Sequence, residues 1–182
     1  MESGILHNTE AHTALANCRA DRGWKLGLSV SGPTQNDVLM KAMEIKAVGE
    51  DIPLFDSVQC TYNVLEQRPA EALMKAHESG MDIIIKEGLA NGRALRHEPV
   101  LQYSKKLDCL PDQLALGCIL AQPFAPRVLS GAVTPEQLES NFKAQALAEK
   151  LKKDPDLLQE LMTSFVIPSE DYWAERSALK WN

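Results

Sequence analysis

The sequence lacks the features that would assign it to a membrane or to nucleic acid. No apolar run approaches the ~20 residues that a membrane-spanning helix needs. Acidic residues outnumber basic ones by 25 to 19, and the net charge of −6 disfavours nucleic acid and anionic membrane surfaces as partners. Residues 1–4 are not a basic segment followed by an apolar core. We therefore expect a cytoplasmic chain, unless an organelle address was lost with a missing N-terminus.

Patterns that bind metals or form disulfides are also missing. The four cysteines contain no Cys-x-x-Cys pair, and the four histidines lack the spacing of metal ligands. We therefore predict reduced thiols and no metal ion. Aromatic residues are scarce at 5%, against 45% hydrophobic residues, which is typical of one globular domain with an aliphatic core.

Short apolar runs alternate along the chain with longer amphipathic ones. The three consecutive isoleucines Ile83 to Ile85 predict a strand that is buried on both faces. Gly80, just before that strand, is well placed to end a helix. Four strands are predicted from such runs, namely Trp24–Val30, Leu54–Gln59, Met81–Lys86 and Arg127–Ser130.

Helical spacing of apolar residues predicts helices before, between and after these strands. The last segment contains Tyr172, Trp173 and Trp181 and is predicted to be aromatic but irregular. The helices are predicted around Glu10–Ala20, from Val38 to Ile45, and at Ala70–Ser79, Val100–Lys106, Pro111–Ala121, Thr134–Lys150 and Pro155–Phe165.

The helix that follows the last strand has the strongest start signal. Thr134 is a good N-cap, Pro135 suits the first helical position, and Gln137 is placed to complete a capping box. The residues that we expect to face inward from this helix are Leu138, Phe142 and Ala146.

Alternating strands and helices indicate βαβ units and a parallel α/β sheet with right-handed crossovers. A complete (β/α)8 TIM barrel typically needs about 250 residues, and this chain has 182. Two architectures fit: the C-terminal half of such a barrel, or a small open α/β sheet. We divide the chain into a helix before the first strand (1–23), a half-barrel (24–150) and a C-terminal helical tail (151–182).

Each predicted strand ends in a group that can form hydrogen bonds. In parallel α/β proteins, ligands collect beyond the carboxyl ends of the strands. A polar strand end is also common wherever a chain turns, so this pattern alone favours a pocket only slightly. The groups concerned are Ser29 and Ser31, Gln59, Lys86, and Ser130 with Gly131.

Several segments resemble aldo/keto reductase motifs, in the order of that family. The most specific is Val58-Gln59-Cys60-Thr61-Tyr62-Asn63-Val64-Leu65, which is similar to the family's Val-Gln-x-x-Tyr-Asn-Leu-Leu. The resemblance runs from about Trp24 to Leu147. The other matching segments are Trp24–Ser31 (a strand usually ending Gly-Val-Ser-Asn), Ile84–Gly92 (Tyr-Ser-Pro-Leu-x-x-Gly), Pro111–Leu116 with Ala121–Pro123, and Ser130–Asn141 (the adenosine-phosphate motif).

The resemblance implies a nicotinamide cofactor, NADP(H) or alternatively NAD(H). Ser29 and Gln59 would hydrogen-bond the nicotinamide carboxamide, which needs both a donor and an acceptor. Leu89 would line the pyrophosphate path. Lys86 occupies the position at which the family often stacks a tyrosine on the nicotinamide ring, and it offers no aromatic face.

The resemblance also implies a site for the adenosine end. Gln137 stands where many members carry an arginine for the 2′-phosphate, which makes NADP(H) less secure. Asn141, one turn later, would hydrogen-bond adenine. The backbone N–H groups offered to the adenosine phosphate at the helix start would be those of Gly131, Ala132, Val133 and Thr134.

Three of these side chains have a purely structural alternative. Gln137 could serve only the capping box, Gln59 could be a satisfied buried amide, and Lys86 could pair with Glu87 or another carboxylate. The sequence leaves both interpretations open.

The family's chemistry requires a tyrosine general acid with supporting lysine, aspartate and histidine, all from the first half of the barrel. That half would precede residue 1, so we expect the isolated chain to have no carbonyl-reductase activity. His7 is an alternative catalytic residue, but too few residues precede it to form a buried strand, and residues 2–6 resemble the connection after one. Tyr62 and Tyr103 have no recognisable lysine–aspartate support.

Two functions therefore remain open. The first is an NADP(H)-dependent oxidoreductase of small carbonyls or alcohols that lacks its catalytic half here. The second is a non-catalytic half-barrel that binds a nucleotide or a protein. With only four strands, such a half-barrel leaves two sheet edges open, so we expect it either to self-associate, as two half-barrels that share one interior, or to be poorly soluble.

Overall fold

The computed structural model describes residues 4–47, 49 and 51–180, and its centre is one sheet of four parallel strands. Each strand pairs in parallel with the next along the chain, which confirms the predicted α/β architecture. The sheet does not close on itself: the first and last strands are its two edges. The strands are β1 (Gly27–Ser29), β2 (Ser57–Thr61), β3 (Asp82–Lys86) and β4 (Arg127–Val128).

Helices precede, connect and follow these strands. The first begins after Asn8, whose side chain accepts a hydrogen bond from Ala11 N at 3.0 Å. It ends at Gly23, where φ is +64°, a conformation that glycine adopts without steric cost. The helices are α1 (Thr9–Arg22), α2 (Gln35–Met43), α3 (Ala70–Glu78), α4 (Glu98–Lys106), α5 (Pro111–Leu120), α6 (Pro135–Leu151), α7 (Pro155–Phe165) and α8 (Ser169–Ser177).

The helices bury one face of the sheet. Val58 and Cys60 of β2 lie in the apolar core with Ile83 and Ile85 of β3, because alternate residues of a strand point to the same side. Ile84 points to the other side and is only partly buried. The prediction that the isoleucine strand is buried on both faces is therefore wrong for its middle residue.

Strand β2 lies further along the chain than predicted. We expected Leu54–Gln59, but Leu54 N donates to Ile45 O at 2.9 Å, within the connection that leads into the sheet. The pairing continues past Gln59, which becomes the middle residue of the strand, and Thr61 ends it. Strand β1 is shorter than predicted at both ends, and β4 is shorter at its C-terminal end.

The buried face of α6 differs from the predicted one. Leu138, Phe142 and Ala146 are all exposed. The cause is the close packing of α6 on α5: Gly117 has no side chain, and a Cβ there would lie 3.2 Å from Leu147 Cγ. The residues buried from α6 are instead Ala144, Ala148 and Leu151.

The C-terminal aromatic segment is helical, which corrects the prediction of an irregular end. Tyr172 and Trp173 lie in α8 and are buried, with their rings in an edge-to-face contact at 5.2 Å. The burial of these two large rings explains the helix, because its polar remainder carries little apolar periodicity. Trp181 lies outside the described residues, as do residues 1–3.

Cys18, Cys60, Cys109 and Cys118 carry free thiols. Burial raises the pKa of Cys60 and of Cys118 to about 12, so both are protonated at neutral pH. Across residues 4–47, 49 and 51–180, no helix is long and apolar enough to cross a bilayer. The same residues contain no group of three or more possible metal ligands.

Candidate functional site

Three predicted site residues form one polar chain across strands β1 to β3. Ser29 lies opposite Gln59 in the parallel register, and Lys86 ends the next strand. Lys86 Nζ donates to Ser29 Oγ at 2.9 Å, and Ser29 Oγ donates to Gln59 Oε1 at 3.4 Å. The three side chains project from the face of the sheet that the helices leave uncovered.

This arrangement bears on two of the structural alternatives, those of Gln59 and Lys86. Gln59 is half-buried, and its Nε2 donates to no atom in the described part of the chain, so it is not a fully satisfied buried amide. Within the described residues Lys86 forms no ion pair with Glu87, whose carboxylate accepts from Arg176 Nη2 at 2.9 Å. The amide of Gln59 and the ammonium of Lys86 therefore keep donor capacity for a ligand.

A cleft of about 900 Å³ lies beside this polar chain, between the loop after β3 and the start of α6. Lys86 reaches both the chain and the cleft. Leu95, Leu110 and Leu116 supply much of the apolar wall. The predicted site residues that line the cleft are Lys86, Leu89, Gly131, Ala132, Val133, Gln137 and Asn141.

The loop after β3 follows a backbone path that is unusual for residues other than glycine. Glu87, Ala90 and Asn91 have φ values of +56°, +52° and +57°, in the left-handed region. Such conformations cost free energy and persist where surrounding contacts impose them. Here they turn the chain along one wall of the cleft.

Helix α8 holds this loop through a partly buried polar network. Asn63 Nδ2 donates to Glu87 O at 3.0 Å and to Tyr172 Oη at 2.9 Å. The Arg176–Glu87 ion pair has side chains only 19% and 14% exposed. Arg93 stacks on the Tyr172 ring, with its guanidinium carbon 4.1 Å from the ring centre. The loop is thus fixed from both β2 and the C-terminal helix.

The start of α6 forms the opposite wall. Thr134 is the N-cap, as predicted, and its Oγ1 accepts from Gln137 N at 3.3 Å. Thr134 itself does not line the cleft. The predicted capping box is wrong in one respect: Gln137 Oε1 accepts from Val133 N at 2.9 Å, one residue before the cap. The Gln137 side chain therefore fixes the approach to the helix.

Asn141 belongs to a hydrogen-bonded chain behind the same wall. Ala132 N donates to Ser130 Oγ at 3.1 Å. The amide orientation that satisfies both ends has Asn141 Oδ1 accepting from Ser130 Oγ at 2.9 Å and Nδ2 donating to Asp112 Oδ2 at 3.0 Å. The N–H groups of Ala132 and Val133 are thus both bound to side chains of this chain.

The charges of the cleft are unevenly distributed. Its described lining contains one cation, Lys86, at the end nearest to β1 and β2. Of the three carboxylates in that lining, Glu87 is paired with Arg176, and Asp112 and Glu136 lie at the end formed by α5 and α6. A hydrogen bond from the backbone of Glu136, with one from Thr134, lowers the pKa of the Glu136 carboxyl. Sequence reasoning missed both carboxylates, although Asp112 lies within a segment that carried the resemblance.

A second depression, of about 960 Å³, lies on the other side of Ser29. His7 lines it from a 3-10 turn, Ile5–His7, together with Trp173 and Arg176 of α8. His7 is exposed and ends no strand. The expectation that His7 is not catalytic stays a prediction.

Sequence reasoning also missed the residues that support the cleft. Arg176 and Tyr172 are distant in sequence from the loop they hold, and no local pattern marks that contact. Asn63 was present in the most specific matching segment, but its role as a link between two loops depends on the fold.

No protein-family model matches the chain, and no curated protein matches it.

Solved structures do match. The holo form of an aldo-keto reductase from Bacillus halodurans is 20% identical, with a TM-score of 0.62, over 87% of this chain and 57% of that protein. A thermostable aldo-keto reductase in complex with the inhibitor epalrestat is 21% identical, with a TM-score of 0.55, over 84% of this chain and 54% of that protein. The chain therefore has the fold of part of an aldo-keto reductase barrel and spans little more than half the length of these structures.

Proposed function

We propose that this chain is the cofactor-binding half of an aldo/keto-reductase-like oxidoreductase of small carbonyls or alcohols. The cofactor would be a nicotinamide dinucleotide, NADP(H) or NAD(H). The observation that carries the proposal is the convergence of separate sequence segments on one cleft. Residues after β3 and residues before and within α6 line it, and Lys86 connects it to Ser29 and Gln59 beside it. These residues are up to 112 positions apart in sequence, from Ser29 to Asn141.

The donor and acceptor pattern at the strand ends suits a carboxamide. Gln59 offers the free N–H groups of its amide, and Ser29 offers a hydroxyl that can donate or accept. A bound nicotinamide dinucleotide supplies a hydride that can be exchanged with a carbonyl carbon. The role of Ser29 and Gln59 would be to orient the carboxamide, and with it the ring.

The opposite end of the cleft fits a nucleotide with one adjustment. Two of the four N–H groups that the resemblance assigns to a phosphate, those of Ala132 and Val133, are bound to Ser130 and Gln137 side chains. Both partners are exposed side chains that can rotate away. A ligand would therefore exchange hydrogen bonds at this wall rather than meet unpaired donors.

None of the three tyrosines of the chain is suited to donate a proton to a substrate. Tyr62 is buried, packs edge-to-face on Phe124, and has a pKa raised by burial. Burial also raises the pKa of Tyr172, which is held by Asn63, to about 12. Tyr103 donates to Glu160 at 2.6 Å. We therefore propose that hydride transfer requires a general acid from outside these 182 residues.

The lack of a suitable tyrosine beside a cleft that can hold a nucleotide favours a second candidate function. A chain that holds the nucleotide contacts but no available tyrosine would act alone as a non-catalytic nucleotide-binding module. This candidate predicts binding without turnover, with or without a partner.

Fluorescence titration of NADPH and NADH tests the proposal. Binding should be weak, at high micromolar or worse, and Gln59→Ala and Asn141→Ala should both weaken it. Gln159→Ala, an exposed amide on α7 outside the cleft, is the matched control and should bind like wild type. Equal affinity for all four proteins, or no binding by wild type, would contradict the proposal.

A turnover assay on the same protein separates binding from catalysis. With NADPH and a panel of aldehydes and quinones, the isolated chain should show no activity. Turnover that survives purification and disappears in His7→Ala would mean that His7 is catalytic and that the general acid lies within this chain.

A further inference from the structure

We infer that the cleft prefers a dinucleotide with a free 2′-hydroxyl, NAD(H), over the 2′-phosphorylated NADP(H), and that Glu136 and Asp112 set this preference. The inference rests on the proposed function, in which the adenosine end lies between Gly131 and Asn141. It assigns a role to two carboxylates that the sequence resemblance left without one.

A 2′-phosphate would meet no cation at this end of the cleft. Such a phosphate carries a charge of about −1.5 to −2 at neutral pH and normally requires an arginine or lysine partner. Lys86, the one cation of the described lining, lies at the opposite end and donates to Ser29. The side chains at the adenosine end are uncharged or anionic.

The helix start offers little compensation for the missing cation. The N-terminus of a long helix attracts anions through its unpaired N–H groups and its dipole. In α6 that potential already acts on Glu136, whose carboxylate accepts from its own backbone N–H and from Thr134. Val133 N already donates to Gln137 Oε1, and Ala132 N already donates to Ser130 Oγ. An incoming dianion would add like charge to a helix start that already holds a carboxylate.

A ribose diol is a better match for the same groups. Carboxylates accept hydrogen bonds from ribose hydroxyls, and a carboxylate in this role is the usual mark of selectivity for the unphosphorylated dinucleotide. Glu136 is exposed at the rim, and Asp112 is held in place by Asn141 at 3.0 Å. One or both can accept from a 2′-hydroxyl while repelling a 2′-phosphate.

Paired titrations with NADH and NADPH test this, because the two ligands differ only in the 2′-phosphate and share the nicotinamide fluorescence. We expect NADH to bind wild type about tenfold or more tightly than NADPH at low salt. The ratio of the NADH affinity to the NADPH affinity should decrease as the salt concentration rises, because salt screens the repulsion between the exposed carboxylates and the 2′-phosphate. Glu136→Lys should bring the two affinities together or reverse their order, and Glu136→Gln and Asp112→Asn should lower the ratio part of the way.

The matched control is Glu139→Gln, which removes a carboxylate from the same exposed helix outside the cleft. It should leave the NADH-to-NADPH ratio unchanged. NADPH binding as tightly as NADH to wild type would overturn the preference while leaving the proposed function intact. A Glu139→Gln effect equal to that of Glu136→Gln would overturn the assignment to Glu136. Failure of both ligands to bind would overturn the proposed function, and the inference with it.

Discussion

Gly117 controls how closely the two helices behind the cleft approach each other. A Cβ at this position would lie 3.2 Å from Cγ and Cδ2 of Leu147, closer than side chains normally pack. The contact brings α6 against α5, and Gln113 Nε2 adds a hydrogen bond to Ser140 Oγ at 3.1 Å. The position of the α6 start, and so of one cleft wall, depends on this packing.

Enlarging Gly117 should therefore destabilise the chain. We expect Gly117→Val to lower the free energy of unfolding by about 1–3 kcal/mol, because overpacking forces α5 and α6 apart. Gly117→Ala should cost less, since the ~1 kcal/mol gain in helix propensity offsets part of the strain. Ala146→Val, on the exposed face of α6, is the control and should cost about 0.5 kcal/mol. Denaturant unfolding measures all three, and equal effects of the two valine variants would contradict the packing argument.

Single side chains also show what the sequence could and could not predict about the site. Ser29 and Lys86 end their strands as expected, and the carboxyl ends of parallel strands lie at one edge. Gln59 lies opposite Ser29 as a mid-strand residue, because β2 continues to Thr61. The hydrogen bond from Lys86 to Ser29 was not predictable, since Lys86 had Glu87 next to it in sequence. The Glu87 carboxylate instead accepts from Arg176, 89 residues away in sequence, and no local sequence pattern predicts such a contact.

Helix α8 stabilises the loops that follow β2 and β3. Its partly buried Arg176–Glu87 pair lies at the cleft side. A second pair joins Glu170 of the same helix to Arg68, which lies just before α3; the pair is 3.1 Å apart, and its side chains are 50% (Arg68) and 74% (Glu170) exposed. Ion pairs that keep full access to water contribute little, whereas removing one member of a partly buried pair leaves a charge without its partner.

The two arginines should therefore differ in their effect on α8. We expect Arg176→Met to cost about 1–3 kcal/mol and to speed hydrogen exchange across 169–177 and 87–92. Arg68→Met, the matched control, should cost less than about 1 kcal/mol and leave both segments protected. Hydrogen exchange read by mass spectrometry distinguishes them. If protection from hydrogen exchange is lost equally in both variants, or in neither, the stabilising role of the Arg176–Glu87 pair is contradicted.

The helices and strands were predictable where local signals agreed with the fold. Thr134 and Pro135 began α6 as expected, since a cap and a first-turn proline act within a few residues. The buried face of α6 was wrong, because Leu138 and Phe142 are at helical spacing but point to water. Helix α8 was missed because the burial of Tyr172 and Trp173, rather than periodicity, stabilises it.

The chain as a whole presents an open half-barrel. Strands β1 and β4 are edges, and the face of the sheet without helices carries mostly polar side chains around Ile84. That face therefore exposes less apolar surface than the isoleucine run suggested. Four of the large exposed apolar side chains lie near the edges: Trp24 just before β1, and Leu129, Leu138 and Phe142 after β4.

Two copies of this sheet together have the strand number of a closed barrel, and their edge strands can pair in parallel. Four parallel strands from each of two copies make eight, the number in a closed (β/α)8 barrel. A twofold axis would pair β1 of each copy with β4 of the other. The strands at both edges are short, so side chains such as Phe142 rather than backbone pairing would supply most of the contact.

We therefore propose that the chain self-associates, and sedimentation velocity should show dimers or larger species at micromolar concentrations. Phe142→Glu, on α6 beside the β4 edge and 59% exposed in the wild type, should shift the population towards monomer, because a charge in an apolar contact must be desolvated. The control is Val166→Glu. Val166 is 45% exposed and lies between α7 and α8, away from both edges, where the N–H of the next residue, Ile167, donates to Leu65 O in the loop after β2. This substitution should leave the association unchanged. A sharply monomeric wild type that unfolds cooperatively and binds no apolar dye would contradict self-association, and it would favour a compact nucleotide-binding module whose edges are sufficiently protected by their short strands.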